Sequence, residues 1–218
     1  MDVKSVIMAT TDAVHAVCHA IVHILQTSMA EQSADLNLSG INPRFEVYQS
    51  NDFADAGSDR HINSGASVFL YRALPNLSHR TPQGNLLTDG QQHLHKLPLD
   101  LYLLITIWGN SPSTQNRLVG WVVRTLEDYP LIPASVLNIG SNTAIFAPHE
   151  AVELLFSEMD GEELLQLWDT LGNGEVRYQI TIPYLVRNLL LDSRRTIAVG
   201  EPVQTRTGDM NRFDGVPL

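Results

Sequence analysis

Apolar residues recur at intervals of three and four along residues 3–30, which predicts a long N-terminal helix. Residues 13–30 contain no Asp, Glu, Lys or Arg, so this stretch approaches the length and apolar character of a membrane-spanning helix. Three histidines and the polar residues at 26–28 interrupt it. They favour a helix that is buried in the protein or lies at an interface.

Alternating and uniformly apolar runs later in the chain predict β-strands. Pro183 lies within the longest run, and it implies that this strand is at a sheet edge or has a bulge or a bend. The predicted strands cover residues 43–49, 66–74, 99–108, 152–156 and 176–192, with shorter extended pieces at 136–139 and 143–146.

Two further helices and several polar connections complete the pattern. Ser113 is the expected N-cap of a helix that ends near Asp128, and Asp160 is the expected N-cap of a helix over 161–171. The Gly-Asn-Gly sequence at 172–174 is typical of a helix C-cap and turn. The remaining polar segments, at 50–65, 75–95 and 196–218, are expected to be a loop, a long connection that is functional or partly disordered, and a C-terminal tail.

This order of helices and strands predicts an α+β fold, with few helices around an antiparallel or mixed sheet. We expect one domain over residues 1–195 and an extended, partner-binding tail over residues 196–218. With 44% apolar residues among 218, the chain is able to form a sizeable core.

Charge narrows the possible functions. The formal net charge is −10, only two residues are lysine, and no run of basic residues occurs. We therefore expect neither nucleic-acid binding nor binding to an anionic membrane. Charged residues make up only 17%, where about a quarter is usual, which favours a protein that hides part of its surface in an assembly.

The chain has one cysteine, so it has no intrachain disulfide, and residues 1–7 do not resemble a signal peptide. We expect synthesis and folding in a reducing cytoplasm, without a membrane span.

One motif suggests metal chemistry. His15, His19 and His23 recur every four residues on one face of the predicted first helix, and Cys18 lies beside them. Imidazoles at this spacing can bind zinc. The stripe lacks the acidic residue of an HExxH motif, so we favour a histidine face at an interface or in solvent over a metal-binding protein or enzyme. The pair at His93 and His95 is too small to define a metal site.

Other catalytic patterns are missing. The sequence has no GxSxG, GxGxxG or GxxxxGK[ST] motif, and Cys18 is expected to be buried. Glu162 and Glu163 open a predicted helix, where acidic residues are ordinary dipole partners. The three tryptophans, at 108, 121 and 168, each lie in an apolar pattern and are expected to be core residues. We expect no catalytic residue and no cofactor.

Several segments, taken in order, resemble one protein family. They follow the N-terminal helix and read ASVFLYR at 66–72, LPLDLYLLIT at 97–106, LEDYPLI at 126–132, ELLQLW at 163–168, and the run at 178–192 that ends in Leu-Leu-Leu-Asp. This order is similar to that of the cap, or tail-terminator, proteins of extracellular contractile injection systems, of the antifeeding prophage and Photorhabdus virulence cassette type. That family was formerly described as a domain of unknown function.

The resemblance covers residues 3–195 and implies a phage tail-terminator-like subunit with a twisted sheet. It implies a hexameric ring at the end of the particle distal to the baseplate, where the ring stops growth of the inner tube and binds the last layer of sheath. The family offers no catalytic residues to transfer. Some relatives carry a further C-terminal domain, for which we expect no counterpart here. The alternative is a different tail or baseplate component with the same architecture.

If the resemblance holds, two regions are candidates for partner contacts. Tube contacts are expected on the connection at 75–95. Subunit and sheath contacts are expected on residues 184–212, where an extended segment can add a strand to a sheet edge. The aromatic and arginine side chains that we expect to make them are Tyr184, Arg187, Arg194, Arg195, Arg206 and Arg212.

Overall fold

The fold was analysed in a computed structural model of the chain. The structure describes residues 12–32, 41–54, 60–79, 92–93, 96–172, 178–193 and 196–197. The helices are α1 (Ala13–Gln32), α2 (Ser50–Ala54), α3 (Pro112–Glu127), α4 (Ala134–Leu137) and α5 (Gly161–Gly172). The strands are β1 (Arg44–Tyr48), β2 (Gly65–Pro75), β3 (Gln92–His93), β4 (Leu97–Trp108), β5 (Leu131–Pro133), β6 (Ala151–Phe156), β7 (Thr181–Leu191) and β8 (Thr196–Ile197).

Six of these strands form one mixed sheet in the order β1-β2-β4-β7-β6-β5. The pairing of β1 with β2 is parallel, and the other four pairings are antiparallel. The long strands β2, β4 and β7 lie in the middle, and the short strands β1 and β5 lie at opposite ends. The first residues of the expected tail form β8, which pairs with β3. The predicted α+β class with a mixed sheet is confirmed.

The helix α1 is a core helix. Eleven of its twenty residues are buried, and it packs with α3 and α4 on one face of the sheet. Of the helices that the structure describes, α1 alone has the length and hydropathy to cross a membrane, and most of its apolar stretch is buried inside this fold. The expectation of a buried helix is confirmed for Ala13–Gln32, while residues 3–11 lie outside the described part of the chain.

The opposite face of the sheet has a second, smaller core beneath α5 and α2. Trp168 of α5 and Phe53 of α2 pack edge to face, with their ring centroids 5.6 Å apart. Both rings also contact Trp108 at the end of β4. The helices α5 and α2 cover only the end of the sheet near Trp108. The described elements therefore cover one face of the sheet and only part of the other.

Several sequence predictions are wrong, because local side-chain hydrogen bonds fix a different structure. The N-cap of α3 is Ser111 and not Ser113, because Pro112 occupies the first helical turn and Ser111 Oγ accepts the amide of Thr114 at 3.2 Å. Residues 50–54, expected in a loop, form α2, whose start is fixed by a 2.8 Å bond from the Gln49 amide to Asp52 Oδ2.

The extended pieces expected at 136–139 and 143–146 are also wrong. Residues 134–137 form α4, and residues 143–146 form a loop that folds around one side chain. Asn138 Oδ1 accepts the amides of Ile145 and Phe146 at 2.8 and 2.9 Å, and Asn138 Nδ2 donates to the Phe146 carbonyl. These three bonds satisfy backbone groups that a strand would pair with another strand.

Pro183 lies inside the sheet at a position where no donor is needed. The last pair between β6 and β7 joins Phe156 to Tyr184, and the amide of Ser157 then donates to the Pro183 carbonyl at 3.0 Å. The nitrogen of a strand residue points to the same side as its carbonyl, so the missing N–H of Pro183 faces the place where β6 has ended. Further along β7, Asn188 has a φ of 62° within a bulge opposite β4.

Candidate assembly surfaces

The structure locates only two of the six predicted contact residues. Tyr184 is fully buried, and its hydroxyl donates to Glu127 Oε1 at 3.2 Å. Burial raises the pKa of Tyr184, and the charge of Glu127 and this hydrogen bond raise it further. In the isolated subunit, therefore, Tyr184 offers no exposed side chain to a partner. Arg187 is half-buried, opposite Glu153 on β6.

The other four predicted contact residues lie outside the described part of the chain: Arg194, Arg195, Arg206 and Arg212. Most of the expected tube-binding connection does as well. Its described start is a 3-10 turn at Leu77–His79, in which Leu77 is 74% exposed. These contact assignments stay predictions.

The histidine stripe and Cys18 face different surroundings. His15 and His19 are exposed, with ring centroids 4.1 Å apart, and His23 Nε2 lies 3.3 Å from Thr27 Oγ1. Partial burial and the neighbouring His15 lower the pKa of His19, and Glu46 opposes this effect. Cys18 is buried in the core, and burial raises the pKa of its thiol to about 11.

The metal hypothesis therefore lacks its ligand set. The described residues include no group of three or more His, Cys, Asp and Glu side chains placed to hold a metal ion. The buried thiol and the exposed imidazoles do not converge. Of the second pair, His93 lies in β3 and His95 lies outside the described residues.

The remaining residues considered for chemistry have structural roles. Asp160 caps α5, since its carbonyl accepts the Leu164 amide at 3.0 Å and its carboxylate lies 3.4 Å from the Glu162 amide. The three tryptophans are buried, and each indole N–H has a side-chain acceptor within 3.1 Å: Trp108 donates to Ser67, Trp121 to Gln32, and Trp168 to Thr181. The expectation that they are core residues is confirmed.

A pocket of about 330 Å³ lies beside Lys96, which forms two ion pairs. Lys96 Nζ lies 3.1 Å from Glu150 Oε1 and 3.2 Å from Asp192 Oδ2. Partial burial lowers the pKa of Lys96, but the bond to Glu150 and the charges of both carboxylates outweigh it, so the pKa is raised overall. These pairs tie the start of β4 to the loop before β6 and to the end of β7, and they need no ligand.

The most distinctive surface was not predicted from the sequence, and it belongs to a long segment without basic residues. No Lys or Arg occurs between Arg124 and Arg177, and we call residues 125–176 the acidic segment. It includes five of the large apolar side chains that the structure exposes: Tyr129, Leu131, Ile139, Phe156 and Leu165. It also carries ten of the chain's 24 acidic residues: Glu127, Asp128, Glu150, Glu153, Glu158, Asp160, Glu162, Glu163, Asp169 and Glu175.

Large apolar side chains that are exposed together can mark a site of contact with another protein. Fold and surfaces thus define an α+β protein that exposes large apolar side chains on an acidic segment. Residues 16–205 match the Pvc16 N-terminal domain family, and the chain belongs to that family.

Solved structures share the fold at low sequence identity. A sheath/tube terminator from an extracellular contractile injection system, PVC, in the extended state, is 16% identical, with a TM-score of 0.58 over 94% of this chain and 65% of that one. The tube-terminating cap of the anti-feeding prophage is also 16% identical, with a TM-score of 0.50 over 84% of this chain and 60% of that one. The chain thus spans less than two thirds of either solved chain. A comparison with curated protein sequences finds no match.

Proposed function

We propose that this chain is a structural subunit of a contractile injection particle, where it caps the end distal to the baseplate. In this role, about six copies form a ring that stops growth of the inner tube and binds the last layer of sheath. The subunit is synthesised in the cytoplasm and then incorporated into the particle. Its work is done by surfaces and requires no catalytic residue or cofactor.

The observation that carries this proposal is a fold shared over 94% of the chain with a solved sheath/tube terminator. Membership of the Pvc16 N-terminal domain family supports it over residues 16–205. The apolar side chains exposed on the acidic segment also suit a subunit whose surface is completed by neighbours.

Three kinds of contact follow from this role: with copies of the same chain, with the sheath protein and with the inner tube protein. We assign sheath contacts to residues 184–212, among which Arg187 is half-buried on β7. We assign tube contacts to the connection at 75–95, whose described start exposes Leu77.

The test is deletion of this gene in a strain that assembles the particles, followed by electron microscopy of purified particles. Loss of the cap should broaden the distribution of tube lengths and leave tubes longer than the sheath. The wild-type gene supplied in trans should restore one length. Particles of normal, uniform length in the deletion strain would refute the proposal.

A second experiment locates the chain on the particle. An epitope placed at the C-terminus should label one end of each particle, opposite the baseplate. Label at the baseplate end would instead identify a baseplate component.

A further inference from the structure

The two ends of the six-stranded sheet differ in chemistry. At the β5–β6 end, Phe156 is 57% exposed and Leu131 is equally exposed on the neighbouring strand. The strand β5 pairs only with Ala151–Glu153, and no described strand lies beside Leu155 and Phe156 on their outer side. This end therefore presents a protruding aromatic ring within the acidic segment.

The β1 end has a groove instead of a protrusion. A cavity of about 260 Å³ runs between α1 and β1, and its apolar lining comes from Val22, Phe45, Val47 and Ile139. Its polar rim is formed by His19, His23, Gln26 and Glu46. Of the apolar residues, Phe45 and Val22 belong to the core, while Ile139 is 44% exposed.

The strand β1 is not open to the addition of another strand. Two of its backbone carbonyls already accept side-chain hydrogen bonds, from Gln26 Nε2 to Phe45 at 3.3 Å and from Arg60 to Val47 at 2.6 Å. Such bonds protect an edge strand against backbone pairing. A partner at this end is therefore held by a side chain in the groove.

Charge favours a contact between the two ends. At the β1 end, Arg44 and Arg60 pair with Glu46 and Asp52, so these four groups carry no net charge, and His19, His23 and His61 lie beside them. Near Phe156, by contrast, Glu127, Asp128, Glu158 and Asp160 are all exposed. Because two surfaces rich in carboxylates repel each other, the charge-balanced β1 end is a more favourable partner for this surface than a second acidic end.

We infer that neighbouring copies of this chain meet through opposite ends of their sheets, with Phe156 of one copy seated in the groove between α1 and β1 of the next. The inference rests on the proposed function, for which it supplies the contact between subunits. Because the two surfaces differ and lie at opposite ends of one sheet, the contact is heterologous, and its repetition closes a ring when the rotation between copies permits. An aromatic anchor in a pocket is the usual centre of such an interface.

Native mass spectrometry of the full chain tests the inference. The wild type should form a ring whose mass is a multiple of the 24.2 kDa subunit. Phe156→Asp, at the protruding end, and Ile139→Asp, in the groove, should each lose the ring and give the single-subunit mass. The matched control is Leu165→Asp on the outer side of α5. Leu165 belongs to the acidic segment and is 57% exposed, as Phe156 is, and this variant should keep the ring.

A mixture of Phe156→Asp and Ile139→Asp gives the sharpest result. Each variant retains one intact surface, so an equimolar mixture should form a one-to-one heterodimer that cannot grow further. A two-fold symmetric interface would give no such product. If Ile139→Asp lowers the thermal midpoint, Gln26→Trp replaces it, because a bulky ring at this exposed position fills the groove without changing a core residue.

Three outcomes would overturn the inference. The wild type could have the single-subunit mass, Phe156→Asp and Ile139→Asp could both form rings, or the mixture of these two variants could give no heterodimer. Failure here is distinct from failure of the capping role. Rings that survive both substitutions contradict this contact only. Uniform particle length after gene deletion contradicts the cap itself, whatever the contact between copies.

Discussion

Gly65 at the start of β2 permits the close approach of β1. Its φ is +137°, a conformation that residues with a side chain rarely adopt. A Cβ at this position would lie 1.8 Å from the carbonyl oxygen of Arg44, its partner in the parallel pair. Replacement of Gly65 therefore requires the two backbones to move apart.

We expect Gly65→Ala to lower the free energy of unfolding by about 3 kcal/mol, from backbone strain and the displacement of β1. The control is Gly120→Ala on α3, where an added Cβ meets nothing within 4 Å. That change should raise the free energy by about 0.5–1 kcal/mol, because alanine is the better helix former. Urea unfolding followed by circular dichroism measures both, and equal effects would contradict the assigned role of Gly65.

Lys96 neutralises two carboxylates in a partly buried place. Lys96→Met would leave Glu150 and Asp192 without their cation, and their side chains are only 16% and 9% exposed. We expect a loss of about 1–3 kcal/mol in the free energy of unfolding. Arg124→Met, which removes an exposed ion pair with Asp128, is the control and should have little effect.

The Lys96 contribution should also depend on pH. Because the pKa of Lys96 is raised in the folded state, its stabilisation is fully present below the ordinary lysine pKa of about 10.4. It is lost as the pH rises through the higher folded-state pKa. The stability difference between wild type and Lys96→Met should therefore shrink above that range, and a constant difference would argue against the ion pairs.

At the scale of elements, the start of α3 gives a direct test of capping. Ser111→Ala should cost about 1 kcal/mol, because the amide of Thr114 loses its acceptor. Ser113→Ala is the matched control at an exposed position inside the helix, and it should change stability by a few tenths of a kcal/mol at most. A larger effect at Ser113 would place the cap where the sequence alone suggests.

Long periodic segments were predictable from sequence, and short ones were not. The strands β2, β4 and β6 and the helices α3 and α5 were expected within three residues of their observed bounds. Helices as short as α2 and α4 have too few residues to show a period, and side chains such as Asp52 and Asn138 fix their surroundings. The parallel pairing of β1 with β2 depends on tertiary contacts that periodicity does not encode.

The predicted contact residues show a similar limit. Tyr184 looks like an interface residue in an amphipathic strand, but β7 lies between β4 and β6, and α3 covers its inner face. The acidic segment was missed because its signal is the absence of Lys and Arg over fifty residues, which a search for motifs does not detect. A charge count in windows would have found it.

At the scale of the whole molecule, the proposed function separates ring formation from sheath binding. Removal of residues 194–218 eliminates four of the residues predicted to contact sheath or neighbouring subunits, Arg194, Arg195, Arg206 and Arg212, and retains both ends of the six-stranded sheet. We expect the truncated chain to form rings but to lose sheath in pull-down assays. Charge reversal of these four arginines in the full chain provides the comparison, and undiminished sheath binding by both variants would contradict the assignment.

The burial of α1 also has a consequence for synthesis on the ribosome. This helix precedes its partners β1, β2, α3 and α4 in the chain, so its apolar face is not completely covered until about residue 137 has left the exit tunnel. For that interval, the nascent chain exposes residues 13–30, a stretch without Asp, Glu, Lys or Arg. Chaperones and the membrane-insertion machinery both bind such segments. Ribosome stalling between β2 and α3 should therefore expose this helix face for longer and favour aggregation of the nascent chain.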